Sequence, residues 1–146
     1  MTSRGPGSTA TGSECALVVV GAGHAGVEAA LASSRLGQRT ILVTLSARGI
    51  ARMPCNPAIG GQGKGHLVRE IDALGGEMAL CADATTIQFK YLNTRKGLAV
   101  RSSRAQVDRF LYQRRMSQRV CSDPLITVVE GEVASLCQRD GQITGV

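Results

Sequence analysis

Ala16-Leu17-Val18-Val19-Val20-Gly21-Ala22-Gly23-His24-Ala25-Gly26 is the stretch that sets the fold class. Its first five residues are apolar and rich in β-branched side chains, which suits a buried strand of a parallel sheet. The glycines follow as Gly21-x-Gly23-x-x-Gly26. Gly21 permits a tight strand-to-helix turn. Gly23, having no side chain, lets a pyrophosphate approach the backbone. Gly26 lets the helix pack close to the strand. Residues 27–36 then place small and apolar side chains at helical spacing, with Gly37 as the stop. Residues 40–45 (TILVTL) form a second apolar strand. Strand, glycine turn, helix and strand make a βαβ unit. The expected class is α/β, a Rossmann-like FAD/NAD(P)-binding domain. The unpaired N–H groups and the positive end of the helix dipole favour a diphosphate there. The plainer alternative is a glycine turn that serves structure alone.

Beyond this unit, residues 46–65 hold Pro54, Pro57, Gly60, Gly61, Gly63 and Gly65, so they read as a structured insertion loop. Residues 66–74 read as a short helix with Leu67, Val68, Ile71 and Leu74 on one face, ended by Gly75-Gly76. Residues 86–92 (TIQFKYL) alternate as a strand does. Residues 103–120 read as a helix whose apolar side carries Val107, Phe110 and Leu111, broken by Ser122-Asp123-Pro124. Short strands are expected at 125–129 and 132–136, with a hairpin turn at Asp140-Gly141. Residues 1–15 are rich in Gly, Ser and Thr and read as a disordered tail. Residues 16–146 read as the N-terminal portion of the Rossmann-like domain, incomplete where the chain stops in a strand.

The 146 residues suffice for one domain, and 43% apolar with 19% charged residues is ordinary for a soluble globular chain. No apolar run approaches the roughly 20 residues of a membrane span. The five cysteines form no CxxC pair, and His24 and His66 stand at no metal-ligand spacing from them. An odd count of scattered thiols fits a reduced, cytoplasmic protein. The net charge is +6, and nine Lys and Arg residues between Lys90 and Arg119 are opposed only by Asp108. Such a run fits a phosphate-facing surface or a solvated helix face, and charge alone does not separate them. With 3% aromatic residues and no Trp, no base-stacking RNA module is expected. The acidic residue that usually binds ribose after the second strand is absent from residues 44–46, leaving Thr44 or Ser46. That argues against an ordinary NAD dehydrogenase.

Several motifs in one order resemble the MnmG (GidA) family. They are Gly21 to Gly26 (GAGHAG), Cys55-Asn56-Pro57-Ala58-Ile59-Gly60-Gly61, Gly63-Lys64-Gly65-His66-Leu67-Val68 and Asp72-Ala73-Leu74-Gly75-Gly76. Leu92-Asn93 with Arg95-Lys96-Gly97, and Arg104-Ala105-Gln106 with Asp108, complete the set. The family also lacks the acidic ribose ligand. Pro54, Leu45 and Leu98 depart from its usual residues, and Pro54 directly precedes Cys55.

The resemblance implies an FAD-binding protein reduced by NADH. With its GTPase partner MnmE, the family uses a methylene-folate carbon and glycine or ammonium. It installs an aminomethyl-type group on C5 of the tRNA wobble uridine, and the complete protein dimerises. The flavin carries the redox chemistry. By the resemblance, Gly21, Ala22, Gly23, His24, Ala25 and Gly26 line the FAD pyrophosphate. Val133, on a later strand, touches the adenine end through its backbone. Cys55 is the candidate nucleophile: a thiolate adding at C6 makes C5 of uridine nucleophilic. A buried free cysteine without chemistry is the alternative. Lys64, Arg95, Lys96, Arg101 and Arg104 are candidates for flavin phosphate or tRNA backbone. Two other readings are an FAD-binding fragment without catalysis and a TrmFO-like folate- and FAD-dependent tRNA methyltransferase. The chain is much shorter than the family's enzyme, so no tRNA modification is expected from it alone.

Overall fold

The computed structural model describes residues 15–53 and 55–146. The tail expected at 1–15 lies, apart from Cys15, outside the described residues, as does Pro54.

The first half follows the βαβ pattern. Strand β1 (Leu17–Val20) leads through the glycine turn into helix α1 (His24–Arg35) and then strand β2 (Thr40–Thr44). β1 and β2 are parallel, with Leu17 opposite Thr40 and Val20 opposite Val43. β2 also pairs in parallel with strand β6 (Ile126–Glu130), so the layer runs β1-β2-β6. The carboxyl ends of all three strands therefore share one edge. β1 is an outer strand, and Val20 stays 57% exposed beside the glycine turn.

A second sheet lies in the middle of the chain. Strands β3 (Ala58–Gly60), β5 (Ser102–Val107) and β4 (Thr86–Leu92) form an antiparallel sheet in the order β3-β5-β4. Helices α2 (Lys64–Ala73) and α3 (Glu77–Thr85) fill the sequence between β3 and β4. Helix α4 (Arg109–Cys121) returns the chain to β6, and strands β7 (Cys137–Arg139) and β8 (Gln142–Gly145) close a hairpin.

The core is one cluster. Val27, Ala30 and Leu31 of α1 meet Leu42 of β2, Cys81 of α3, and Tyr112, Met116 and Val120 of α4, all without exposed surface. A polar network seals its lower end. Ser34 Oγ donates to Asp123 Oδ1 at 2.6 Å, and Thr40 Oγ1 donates to Ser33 Oγ at 2.8 Å. Burial alone would raise the Asp123 pKa. The Ser34 hydroxyl, the Leu125 N–H and the Arg119 guanidinium reverse that and hold it below the usual carboxylate value.

Four expectations are corrected. The helix predicted from 103 begins only at Arg109, because residues 102–107 are strand β5 and bury Ser102, Ala105 and Val107. Asp108 caps α4, accepting from the Phe110 and Leu111 N–H groups at 2.9 Å each. Phe110 and Leu111 do not form the buried face of α4; they are 79% and 53% exposed, and Tyr112, Met116 and Val120 bury instead. On α2, Leu67 and Leu74 are exposed, so only part of the predicted apolar face packs. Residues 132–136 form no strand. Gly131 N–H bonds to Thr44 O, the last step of the β2 pairing, and no described strand pairs with the chain directly beyond it.

Candidate dinucleotide-binding site

The glycine turn sits at the carboxyl edge of the parallel layer, where ligands of open α/β sheets bind. Each glycine has a separate structural reason. Gly21 holds a φ of +97°, a region L side chains rarely adopt, while its N–H donates to Val43 O at 2.8 Å. Gly26 faces inward: a Cβ there would lie 1.8 Å from Gly21 O. Gly23 faces the other way. A Cβ on it would meet nothing within 4 Å, so no protein atom requires a glycine at this position. The backbone in front of α1 is left open there. Gly23 is also the N-cap of α1 with no side-chain cap, and the first turn of α1 contains no acidic residue. Its first amide N–H groups lack intrahelical acceptors, as at any helix start. An open, uncapped, acid-free helix start fits a diphosphate.

His24 is neither a solvated spacer nor spare. Its ring packs edge-on against Tyr112, with centroids 5.8 Å apart. Burial lowers its pKa, and the charge of Glu28 opposes that in part. Among the described residues neither His24 Nδ1 nor the buried Tyr112 hydroxyl has a hydrogen-bond partner. The His24 side chain therefore wedges α1 against α4.

Thr44 and Ser46, the hydroxyls suggested for ribose, are engaged locally. Thr44 Oγ1 donates to Ser46 O at 3.3 Å, and Ser46 Oγ accepts from Arg48 N–H at 3.3 Å in a 3-10 turn at Ala47–Gly49. The acidic group at this edge is Glu130, at the end of β6 opposite Thr44, and its carboxylate accepts from Ala47 N–H. A search of β2 alone misses it, because the register that brings it there is tertiary. Val133 is half-buried three residues past β6, at the same carboxyl edge, in irregular backbone instead of the expected strand.

Cys55 is exposed and follows closely on this edge. Ala51 N–H donates to Ala22 O at 2.9 Å, which ties the loop to the glycine turn four residues before Cys55. A chain of that length reaches at most about 14 Å. From the other side, Arg109 Nη2 donates to Cys55 O at 2.7 Å, and Val107 N–H donates to Pro57 O at 2.8 Å. The cysteine loop is thus held between the glycine turn and the start of α4. Cys81 is the opposite case: buried, donating to Tyr112 O, with its pKa pushed up to about 11 by burial. Such a thiol is inert.

The basic run divides between elements. Arg119 pairs with Glu77 at 3.5 Å and Asp123 at 3.1 Å, and Arg109 holds the Cys55 loop, so these two serve the fold. Lys90 and Arg104 stand opposite each other on β4 and β5, and Lys96 and Arg101 lie on the connection between those strands. Among the described residues no group of three or more His, Cys, Asp and Glu side chains could hold a metal ion. No described helix is long and apolar enough to cross a membrane.

A parallel βαβ layer with this glycine turn defines a mixed α/β protein. The sequence model of the family described as "Glucose inhibited division protein A" matches residues 16–146, and the chain belongs to that family. It is 58% identical over 130 residues to the tRNA uridine 5-carboxymethylaminomethyl modification enzyme MnmG of Desulfotalea psychrophila, covering 89% of this chain and 20% of that protein. It is 56% identical over 135 residues to the enzyme of the same name from Syntrophotalea carbinolica, covering 92% and 22%. The solved structure of Aquifex aeolicus GidA superposes with a TM-score of 0.85 at 49% identity, over 89% of this chain and 22% of that one. The chain thus spans about a fifth of the length of these relatives.

Proposed function

We propose that residues 16–146 form the FAD-binding, N-terminal part of a flavoprotein that modifies the tRNA wobble uridine at C5. The observation that carries the reading is the pairing of Gly23 and Gly26. Gly26 is demanded by its contact with the Gly21 carbonyl, and Gly23 leaves the backbone in front of α1 open. The first-turn N–H groups of His24, Ala25 and Gly26 hold the diphosphate, with Gly21 and Ala22 shaping the turn. The backbone near Val133 contributes at the same sheet edge. Glu130 takes the acidic position that β2 lacks. FAD supplies redox chemistry when bound, with NADH as its reductant.

Cys55 is the nucleophile in this reading. Its thiolate adds to C6 of uridine, and the electron pair moves to the C4 oxygen as an enolate. C5 then bonds to an electrophilic one-carbon unit. Loss of the C5 proton expels the thiolate and restores the ring. The GTPase MnmE, a second copy of the chain and a cytoplasmic setting belong to the same proposal. Support comes from the family membership and from the names of the relatives. The test is mass spectrometry of wobble nucleosides in cells whose full-length protein carries Cys55→Ser. Loss of the C5 modification with flavin retained is expected; unchanged modification refutes the assignment of Cys55.

A further inference from the structure

Two sizeable recesses lie away from the glycine turn. They sit together between α2 and the β4–β5 connection, with volumes of about 490 and 690 Å³, and share His66 and Ala99 as a common wall. Together they form one groove. Its polar lining includes His66 and Arg69 of α2, and Asn93, Lys96 and Arg101 of the connection, and no Asp or Glu lines either recess. The floor is fixed. Arg101 Nη2 donates to Thr94 O at 3.1 Å, and Asn93 Nδ2 donates to Val100 O at 3.1 Å.

The aromatic side chains are distributed unevenly. The chain has two Tyr and two Phe. Two of these four, Phe89 and Tyr91, stand on one face of β4 at 50% and 61% exposure. Their rings meet edge to face at 5.1 Å. Tyr91 lines the groove among the cations. Residues i and i+2 of a strand share a face, so the pair makes a platform rather than two isolated rings. Composition alone, with 3% aromatic residues, does not reveal this clustering.

We propose that this groove seats a single-stranded RNA segment, with a base stacked on Tyr91 and its flanking phosphates on Arg69, Arg101 and Lys96. An acid-free, Arg-lined channel with an exposed aromatic is the chemistry that holds unpaired nucleotides. A helix start lies at the same place: Gly63, the uncapped N-cap of α2, is part of the lining, and the first turn of α2 has no acidic residue. The choice of RNA rests on the tRNA reading above. Protein segments from the remainder of a longer polypeptide are the competing occupant.

The test is fluorescence anisotropy with a labelled oligouridylate and the 146-residue chain, as a function of salt. Arg69→Ala/Arg101→Ala removes two phosphate-binding cations. It should weaken binding about tenfold and flatten the slope of log K against log salt by about 1.4. Tyr91→Ala should weaken binding about fivefold or more without changing the slope, and Tyr91→Phe should restore it. Arg114→Ala/Arg139→Ala removes the same charge from α4 and β7, which line neither recess, and should bind within about twofold of the parent. The proposal is overturned if the control pair weakens binding as much as the groove pair, or if Tyr91→Ala binds as the parent does. Failure of the parent chain to bind RNA overturns it too. Flavin retention, measured on the same samples, judges the functional reading separately.

Discussion

Replacing Gly26 by Ala tests the geometry of the turn without any ligand. At a solvated helix position the change would stabilise, by up to about 1 kcal/mol, because Ala is the better helix former. Here the new Cβ would sit 1.8 Å from Gly21 O and 3.4 Å from Val19 Cγ1. To reach ordinary contact near 3.4 Å, α1 must retreat from the turn by about 1.6 Å. That movement loosens Val27, Ala30 and Leu31, all fully buried. Overpacking against backbone costs about 3 kcal/mol, so the net effect reverses the propensity gain. Thermal unfolding by far-ultraviolet circular dichroism should show a fall of roughly 5–10 °C in Tm. Gly23→Ala is the control: its Cβ meets nothing, its φ and ψ of −71° and −173° suit Ala, and it should cost less than about 1 kcal/mol. If both variants melt alike, the separate roles given to these two glycines are wrong.

Other consequences follow from the packing. Glu28 of α1 accepts from the N–H groups of Glu77 and Met78, capping α3 from 49 and 50 residues away; Glu28→Ala should destabilise by about 1–3 kcal/mol in urea unfolding. The buried Tyr112 hydroxyl has no partner among the described residues, so Tyr112→Phe should leave stability unchanged or raise it by about 1 kcal/mol. A destabilisation instead would mean the hydroxyl is satisfied. Cys81 keeps its proton in the folded state up to about pH 11 and releases it near pH 9 when unfolded. The folded state then binds more protons, so stability falls as pH rises from 9 to 11, by on the order of 2–3 kcal/mol. Cys81→Ala should flatten that decline. Turnover assays with MnmE, folate, NADH and tRNA should show no uridine modification by the 146-residue chain, and measurable product would contradict this.

The first βαβ unit was legible because its signals are local. VVV, three glycines and TILV each report a constraint that neighbours in sequence impose. Of the second sheet only β4 was legible, at residues 86–92. Ser102–Val107 carries no clear strand signature; its partners are β4, just across the preceding connection, and β3, far upstream in sequence. Helix α3 follows two glycines and has no capping side chain of its own; its cap is Glu28, supplied from α1. The same holds for the site. The glycine positions could be read directly, whereas Glu130 reaches the edge through the β2–β6 register, and the Arg109 grip on Cys55 depends on tertiary closure. Phe89 and Tyr91 were hidden by an alternating pattern that predicts a strand without saying which face stays open.

Whether these residues build a working dinucleotide site can be read from the visible spectrum of the desalted chain after incubation with FAD. Flavin absorbance should remain with the wild-type protein and be lost in Gly23→Val, while both proteins give the same circular dichroism. A folded wild-type chain that retains no flavin, or a Gly23→Val variant that retains it equally, would contradict the assignment of the glycine turn to FAD.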